Sequence, residues 1–224
     1  MVLKQFIEEV KNNFKNVDDK FFDNIEIYKQ YLQEYNKATN LTRLDGEDKI
    51  YQEYFLESIL PFINIDFAKY TKVLDIGSGS GIPGIVLKLL YPQIDLTIIE
   101  SNGKKLTFMR SLASKLNINV TFYLKRAEEI RNNEREKYDI VTSRAVAELR
   151  IILEVSVPYC KVNGLIIEPK GRMFKEEYAE AEQIIGKLGI KLISEKDNSN
   201  FVFEKVEVTN QEYPRKWTDI IKNE

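Results

Sequence analysis

The feature that most limits how this chain can fold is a short apolar run, Lys72-Val73-Leu74-Asp75-Ile76, that ends in a glycine cluster, Gly77-Ser78-Gly79-Ser80-Gly81-Ile82-Pro83-Gly84. An apolar strand that meets glycines and then a helical pattern is the opening of a βαβ unit. Glycines at such a bend permit positive φ and leave room beside the backbone where a Cβ would collide with a bound molecule. Pro83 suits a first helical turn, where its missing N–H is no loss. The N-terminus of that helix offers unpaired amides to an anionic group.

The pattern downstream agrees. Spacing of apolar residues predicts helices over 83–90, 104–117, 147–159 and 175–188, and strands over 96–100, 120–124, 138–142, 164–168, 190–194 and 201–208. Strands alternating with helices imply a mainly parallel sheet. Upstream the pattern is helical throughout. Leu3, Phe6, Ile7, Val10 and Phe14 share one face, and Asp18 is placed to cap a second helix bearing Phe21, Ile25, Tyr28, Leu32 and Tyr35. Ile50, Tyr54, Phe55 and Ile59 predict a third amphipathic helix that Pro61 closes. The expected fold is therefore α/β and Rossmann-like, with an N-terminal helical cap over residues 1–68 and the sheet domain over 69–224.

Composition narrows the chemistry. The chain has no histidine, which removes the commonest general base, the Ser-His triads and all histidine metal sites. Its one cysteine, Cys160, excludes an internal disulfide or a Cys-x-x-Cys pair and reads as a small buried hydrophobe. No metal site is expected. No apolar run approaches the roughly 20 residues needed to span a bilayer, and Met1 to Lys20 lacks a signal-peptide core, so a cytoplasmic protein without membrane contact is expected. Charge is unevenly spread. Residues 1–68 hold 13 acidic and 8 basic side chains, whereas residues 69–168 hold 15 basic and 11 acidic, which suits a polyanion met on one face.

Two ligand classes compete for the glycine loop. Gly79-Ser80-Gly81-Ile82-Pro83-Gly84 fits the dinucleotide fingerprint G-x-G-x-x-G. The frame beginning at Asp75, Asp-x-Gly-x-Gly-x-Gly, instead resembles the first motif of class I methyltransferases. An acid at the strand end favours S-adenosylmethionine, which carries an ammonium and a sulfonium, and repels a pyrophosphate. Glu100, ending the second strand, can accept hydrogen bonds from ribose hydroxyls in either class. Ala127-Glu128, after the third strand, sits where methyltransferases commonly hold the adenine.

Asn40-Leu41-Thr42, Asp75 to Gly84, Ser143-Arg144-Ala145, Pro169-Lys170-Gly171 and Tyr213-Pro214-Arg215-Lys216, in this order and spacing, resemble one family. It is the small-subunit ribosomal RNA guanine-N7 methyltransferase G family, also called glucose-inhibited division protein B. The resemblance runs from about Asn36 to Lys216. It implies an enzyme that uses S-adenosylmethionine to methylate N7 of a guanine in 16S ribosomal RNA, as free RNA or in the small ribosomal subunit, and that acts as a monomer.

Matching positions place Gly77, Ile82, Ala127, Glu128 and Arg144 at the cofactor, beside Asp75, Gly79 and Gly81 from the motif itself and Glu100 from the end of the second strand. Arg144, at the fourth strand's carboxyl end, is expected to orient the donor or a phosphate near the reacting atoms. Asn40, Arg43, Lys170, Arg172, Arg215 and Lys216 are the expected RNA contacts, with Lys104, Lys105, Arg110, Lys125 and Arg126 as further basic candidates. Trp217-Thr218-Asp219-Ile220-Ile221 departs from the small-residue, lysine-containing tail usual after Pro-Arg-Lys, and Glu168-Pro169 replaces a usual apolar pair. A methyltransferase of another acceptor, a nicotinamide-dependent oxidoreductase and a non-catalytic nucleotide-binding module are the alternatives.

Overall fold

A computed structural model describes residues 1–39, 46, 49–169, 174–196 and 200–222. A seven-stranded sheet in the order β3-β2-β1-β4-β5-β7-β6 forms its centre. The strands are β1 (Lys72–Ile76), β2 (Asp95–Glu100), β3 (Thr121–Leu124), β4 (Tyr138–Ser143), β5 (Cys160–Pro169), β6 (Ile190–Lys196) and β7 (Asn200–Lys205). β1 to β5 pair in parallel, and β7 runs antiparallel to both β5 and β6. This is the expected Rossmann-like α/β architecture, and its strand order reverses between β1 and β4.

The strands read as apolar runs because helices cover both faces. Alternate side chains of β1 go to opposite cores: Val73 joins one buried cluster, and Leu74 and Ile76 join the other. The first face carries α1 (Leu3–Asn13), α2 (Asp19–Thr39), α3 (Gly84–Leu90) and α4 (Gly103–Lys115); the second carries α5 (Leu149–Ser156), α6 (Phe174–Lys187) and α7 (Trp217–Lys222). Local signals start the helices, at α2 as the sequence predicts. The Asp18 carboxylate accepts the Lys20 amide at 3.0 Å ahead of α2, and Asn102 accepts the amides of Lys104 and Lys105 ahead of α4.

The cap is not a loose appendage. Phe6, Val10, Phe21, Ile25, Tyr28, Tyr51, Phe55 and Phe62 lie in the same buried cluster as Ile85, Leu96, Ile98, Leu106 and Phe108 of the sheet and its helices. The boundary near residue 68 is thus a change of element type, and one core runs across it.

The structure differs from the sequence reading at several places, and β7, expected over 201–208, ends at Lys205. The third cap helix is π-helical over Ile50–Leu56, followed by a short α-helical turn at Glu57–Ile59 and a 3-10 turn at Leu60–Phe62. The wider i to i+5 turn brings Ile50, Tyr51, Tyr54 and Phe55 all inward, which a 3.6-residue repeat does less well. β5 begins at Cys160, four residues early, because Asn163-Gly164 is a bulge inside the strand and not the loop that its composition suggests. α5 is shorter than expected, turning 3-10 over Val157–Tyr159 around Pro158.

Phe55 is fully buried and meets the rings of Phe6, Tyr28, Tyr51 and Tyr54. Phe55→Ala is expected to lower unfolding free energy by about 3–5 kcal/mol, measured by urea titration, with no independent melting of the cap.

Candidate functional site

The carboxyl ends of the parallel strands converge where the strand order reverses, the position at which open α/β sheets bind ligands. A cavity of about 250 Å³ lies there. Its walls are the ends of β1 and β2 (Ile76, Gly77, Ile99, Ser101), the segment after β3 (Lys125 to Glu128), the turn after β4 (Val146, Ala147), the inner face of α5 (Ile151, Ile152, Val155) and Trp217. The lining is mainly aliphatic, with one acid and two cations at its rim. Glu128 is the one acid among these residues, and its carboxylate stands 3.8 Å from the Arg126 guanidinium. Among the described residues there is no group of three or more His, Cys, Asp or Glu that could hold a metal.

The glycine loop beside the cavity is braced from three sides. Within the loop, Asp75 is fully buried and its Oδ2 accepts from Ser78 Oγ at 2.5 Å and from the Gly84 amide at 2.8 Å. From β2, Glu100 accepts the Gly79 amide at 3.1 Å and the Asn102 amide at 2.8 Å, while the Gly77 amide reaches the Ile99 carbonyl at 2.8 Å. From the cap, the Tyr28 hydroxyl donates to the Ser80 carbonyl at 2.5 Å and the Tyr54 hydroxyl donates to Ser80 Oγ. Burial pushes the Tyr28 phenol well above its ordinary value and lifts that of Tyr54 to about 12, so both act as neutral donors.

Glycine is required at two of these positions by the protein's own packing. Gly77, at φ +67°, would place a Cβ 2.7 Å from Val146 Cγ2, and Gly81, at φ +105°, would place one 2.6 Å from the Tyr28 hydroxyl. The sequence reading assigned that free space to a ligand. At Gly81 the cap's tyrosine occupies it instead.

Of the residues expected at the cofactor, Gly77, Ala127 and Glu128 line the cavity. Asp75 is fully buried and accepts from the Ser78 hydroxyl and the Gly84 amide, so in this structure it brackets the bend. Glu100 is also turned to backbone amides, although only part of its accepting capacity is used by them. Gly79 gives its amide to Glu100, and Ile82 packs toward the cap-side core. Arg144 leaves the cavity altogether. Its guanidinium donates to the Glu53 carbonyl at 2.6 Å and the Tyr54 carbonyl at 3.3 Å, and stands 3.7 Å from the Glu57 carboxylate.

Among the expected RNA contacts, Asn40, Arg43, Lys170 and Arg172 lie outside the described residues. Lys216 is exposed, whereas Arg215 clasps the fully buried Glu154 through Nε at 2.9 Å and Nη2 at 2.8 Å. That pairing corrects the assignment of its side chain to RNA: freeing the guanidinium would strand a buried carboxylate. Lys125 is similarly held by Glu134, at 2.6 Å. Cys160 is buried, with its thiol pushed up to about 12, as a small core residue would be. Glu168, where an apolar residue is usual, is buried and accepts from Ser143 Oγ at 2.5 Å.

Sequence reasoning missed Val146, Ala147, Ile151, Ile152, Val155 and Trp217. The first five follow β4, and the general position of such segments at the carboxyl edge of the sheet is the signal that could have found them. Ala145 there adopts a left-handed φ of 56°, which sends Arg144 toward the cap and Val146 toward Gly77. No local signal marks Trp217, because a long-range return of the chain brings it to the cavity.

The family model described as rRNA small subunit methyltransferase G matches residues 22–201. A Ureaplasma parvum serovar 3 protein, ribosomal RNA small subunit methyltransferase G, is 42% identical over 99% of this chain and 99% of its own length. The protein of that name from Malacoplasma penetrans is 43% identical over 100% of this chain and 99% of its own. Among solved structures, the ribosomal protein L11 methylase of Lactobacillus delbrueckii subsp. bulgaricus superposes with a TM-score of 0.53 at 16% identity, covering 67% of this chain and 78% of that one. That likeness is one of fold, the class I methyltransferase fold.

Burial lifts the Asp75 carboxyl from its ordinary 3.8 to about 7, against the opposing pull of its Ser78 and Gly84 hydrogen bonds. Between those values the folded protein holds a proton that the unfolded chain has released, so this group's contribution to stability falls as pH rises from about 4 to 7. Asp75→Asn is expected to remove that slope. Unfolding free energies of the two proteins, compared from pH 4 to 7.5, should shift progressively in favour of the variant, and a constant difference would contradict the assignment.

Proposed function

Because the chain belongs to the rRNA small subunit methyltransferase G family, we propose that it transfers a methyl group from S-adenosylmethionine to N7 of a guanine in 16S ribosomal RNA. The observation that carries the reading is the apolar, acid-edged cavity beside a braced glycine loop, at the reversal of strand order. Ile76, Ile99, Ile152 and Val155 would pack on the adenine, and Glu128 would accept from its exocyclic amine. Glu100 would use its remaining accepting capacity on the ribose, and the Gly77 to Gly81 backbone would face the amino-acid end. When bound, S-adenosylmethionine supplies an electrophilic methyl on positively charged sulfur.

Guanine N7 has an in-plane lone pair and no proton to lose. Attack from it needs no general base, which agrees with a chain that has no histidine. What remains for the protein is alignment, which can supply about 7–11 kcal/mol of the barrier. Arg144 serves this as a positioning residue. By binding two carbonyls of the cap it fixes the turn after β4, and with it the Val146 and Ala147 wall of the cavity.

RNA contact would fall to the exposed cations Lys104, Arg110, Arg126 and Lys216, with Asn40, Arg43, Lys170 and Arg172 as further contacts outside the described residues. The protein is read as a cytoplasmic monomer. No helix among the described residues is long and apolar enough to cross a membrane.

Small subunits from cells lacking the protein, incubated with it and S-adenosylmethionine, are expected to gain one site of borohydride–aniline cleavage, the signature of N7-methylguanine. Methyl incorporation without such cleavage would move the acceptor elsewhere. Binding to the RNA is expected to weaken steeply with salt, log Kd changing by about 0.7 per decade for each phosphate engaged on a single strand. A salt-independent affinity in filter binding would remove the basic side chains from the interface.

A further inference from the structure

Trp217 is the chain's only tryptophan, and 39% of its surface is exposed. A large aromatic left partly in water is ordinary on a mobile tail. This one is not on a loose tail. The segment around it is pinned to α5 and to the sheet: Tyr213 is buried, and its carbonyl accepts from Arg135 Nη2 at 2.7 Å. Arg215 clasps the buried Glu154 with both its backbone amide, at 2.9 Å, and its side chain. On the other side, the Ile220 side chain is fully buried and its carbonyl accepts from Arg150 at 2.7 Å.

The fixed segment holds the indole at the cavity beside the glycine loop, with Ile151 and Val155 on the α5 wall and Ala127 and Glu128 on the segment after β3. Among the described residues no other aromatic ring stacks on it. The indole is therefore a rigid, partly open aromatic surface on a cavity whose other walls are mainly aliphatic, with Lys125, Arg126 and Glu128 beside them. Among the residues lining the cavity it is the one aromatic ring, and an aromatic ring can stack with a flat heteroaromatic ligand.

We propose that Trp217 is a cofactor-binding residue, its indole closing the cavity over the adenine ring of the methyl donor. The proposal rests on the methyl-donor reading above and adds a residue to it. In this geometry the adenine lies between the indole and the aliphatic wall, with Glu128 at its edge. The Glu154–Arg215 pair then acts as a positioning contact, since it sets where α7 begins. A stack on the target guanine is the competing use of the same ring, and the two differ in which ligand the indole senses.

Because there is a single tryptophan, its emission reports on this site alone. S-adenosylhomocysteine and adenosine should each change the emission saturably, with S-adenosylhomocysteine giving the same Kd as calorimetry, while methionine should leave it unchanged. Trp217→Ala should weaken S-adenosylhomocysteine binding about tenfold, as loss of one aromatic stack on a base does, and Trp217→Phe should recover most of that loss. Trp217→Leu keeps apolar bulk without the ring and should behave like the alanine variant if the fold is intact by circular dichroism. Calorimetric binding with no change in wild-type emission, or unchanged affinity in the leucine variant, would overturn the proposal and leave the methyl-donor reading standing. Failure of the wild-type protein to bind S-adenosylhomocysteine at all would overturn both. An emission change seen only when RNA is added would assign the ring to the target base instead.

Discussion

A buried carboxyl holding a bend of backbone is the contact on which the site depends. Asp75 sits at the end of the central strand β1 and joins the two ends of the glycine loop, through Ser78 on one side and the Gly84 amide on the other. A loop rich in glycine has more conformational freedom to lose than any other, so its order must be imposed from outside. Here the imposition comes from the strand beneath, from Glu100 on the neighbouring strand, and from Tyr28 and Tyr54 of the cap. Burying the carboxyl fully raises its pKa to about 7, and among the described residues its Oδ1 has no hydrogen-bond partner. The loop's shape is held at some expense to stability, a common arrangement at binding sites.

The same contacts explain why the cap belongs to the catalytic domain. Its tyrosines reach the loop and its backbone carbonyls hold Arg144, so the bend after β1 and the turn after β4 both lean on helices from the first third of the chain. The π-helical stretch at Ile50–Leu56 is where this happens, with Tyr54 donating to Ser80 while the neighbouring Glu53 and Tyr54 carbonyls accept from Arg144. A backbone carbonyl has two lone pairs, so these helical carbonyls can accept from an arginine brought in from the sheet.

The fold was legible in the sequence because its signals are local and repeated. β1 with its glycine cluster, the alternation of strands and helices, and the Asp18 cap each identify an element without knowledge of any other. The errors lie where two elements decide jointly. β5 begins at Cys160 because it pairs there with Tyr138, and only that pairing turns Asn163-Gly164 from a loop signal into a bulge. The site was legible in part for the same reason. Gly77, Ala127 and Glu128 follow strands directly and line the cavity. Asp75, Glu100 and Arg144 carry charge at the right edge of the sheet, but sequence does not tell whether a charged group faces a ligand or the protein's own amides and carbonyls.

Arg215 shows how that ambiguity is settled physically. A basic residue in a Pro-Arg-Lys run is a natural candidate for a phosphate contact, and nothing near it in sequence argues otherwise. Sixty-one residues earlier, however, Glu154 lies on the buried side of α5, where an unpaired carboxylate would be strongly destabilising. The guanidinium is the group that neutralises it, through two parallel hydrogen bonds that fix orientation as well as charge. The consequence reaches the cavity, since a guanidinium fixed in orientation fixes the start of α7 and the direction in which Trp217 leaves it. In this chain a charge that sequence alone would send outward to a polyanion is turned inward, where it shapes the wall of the binding slot.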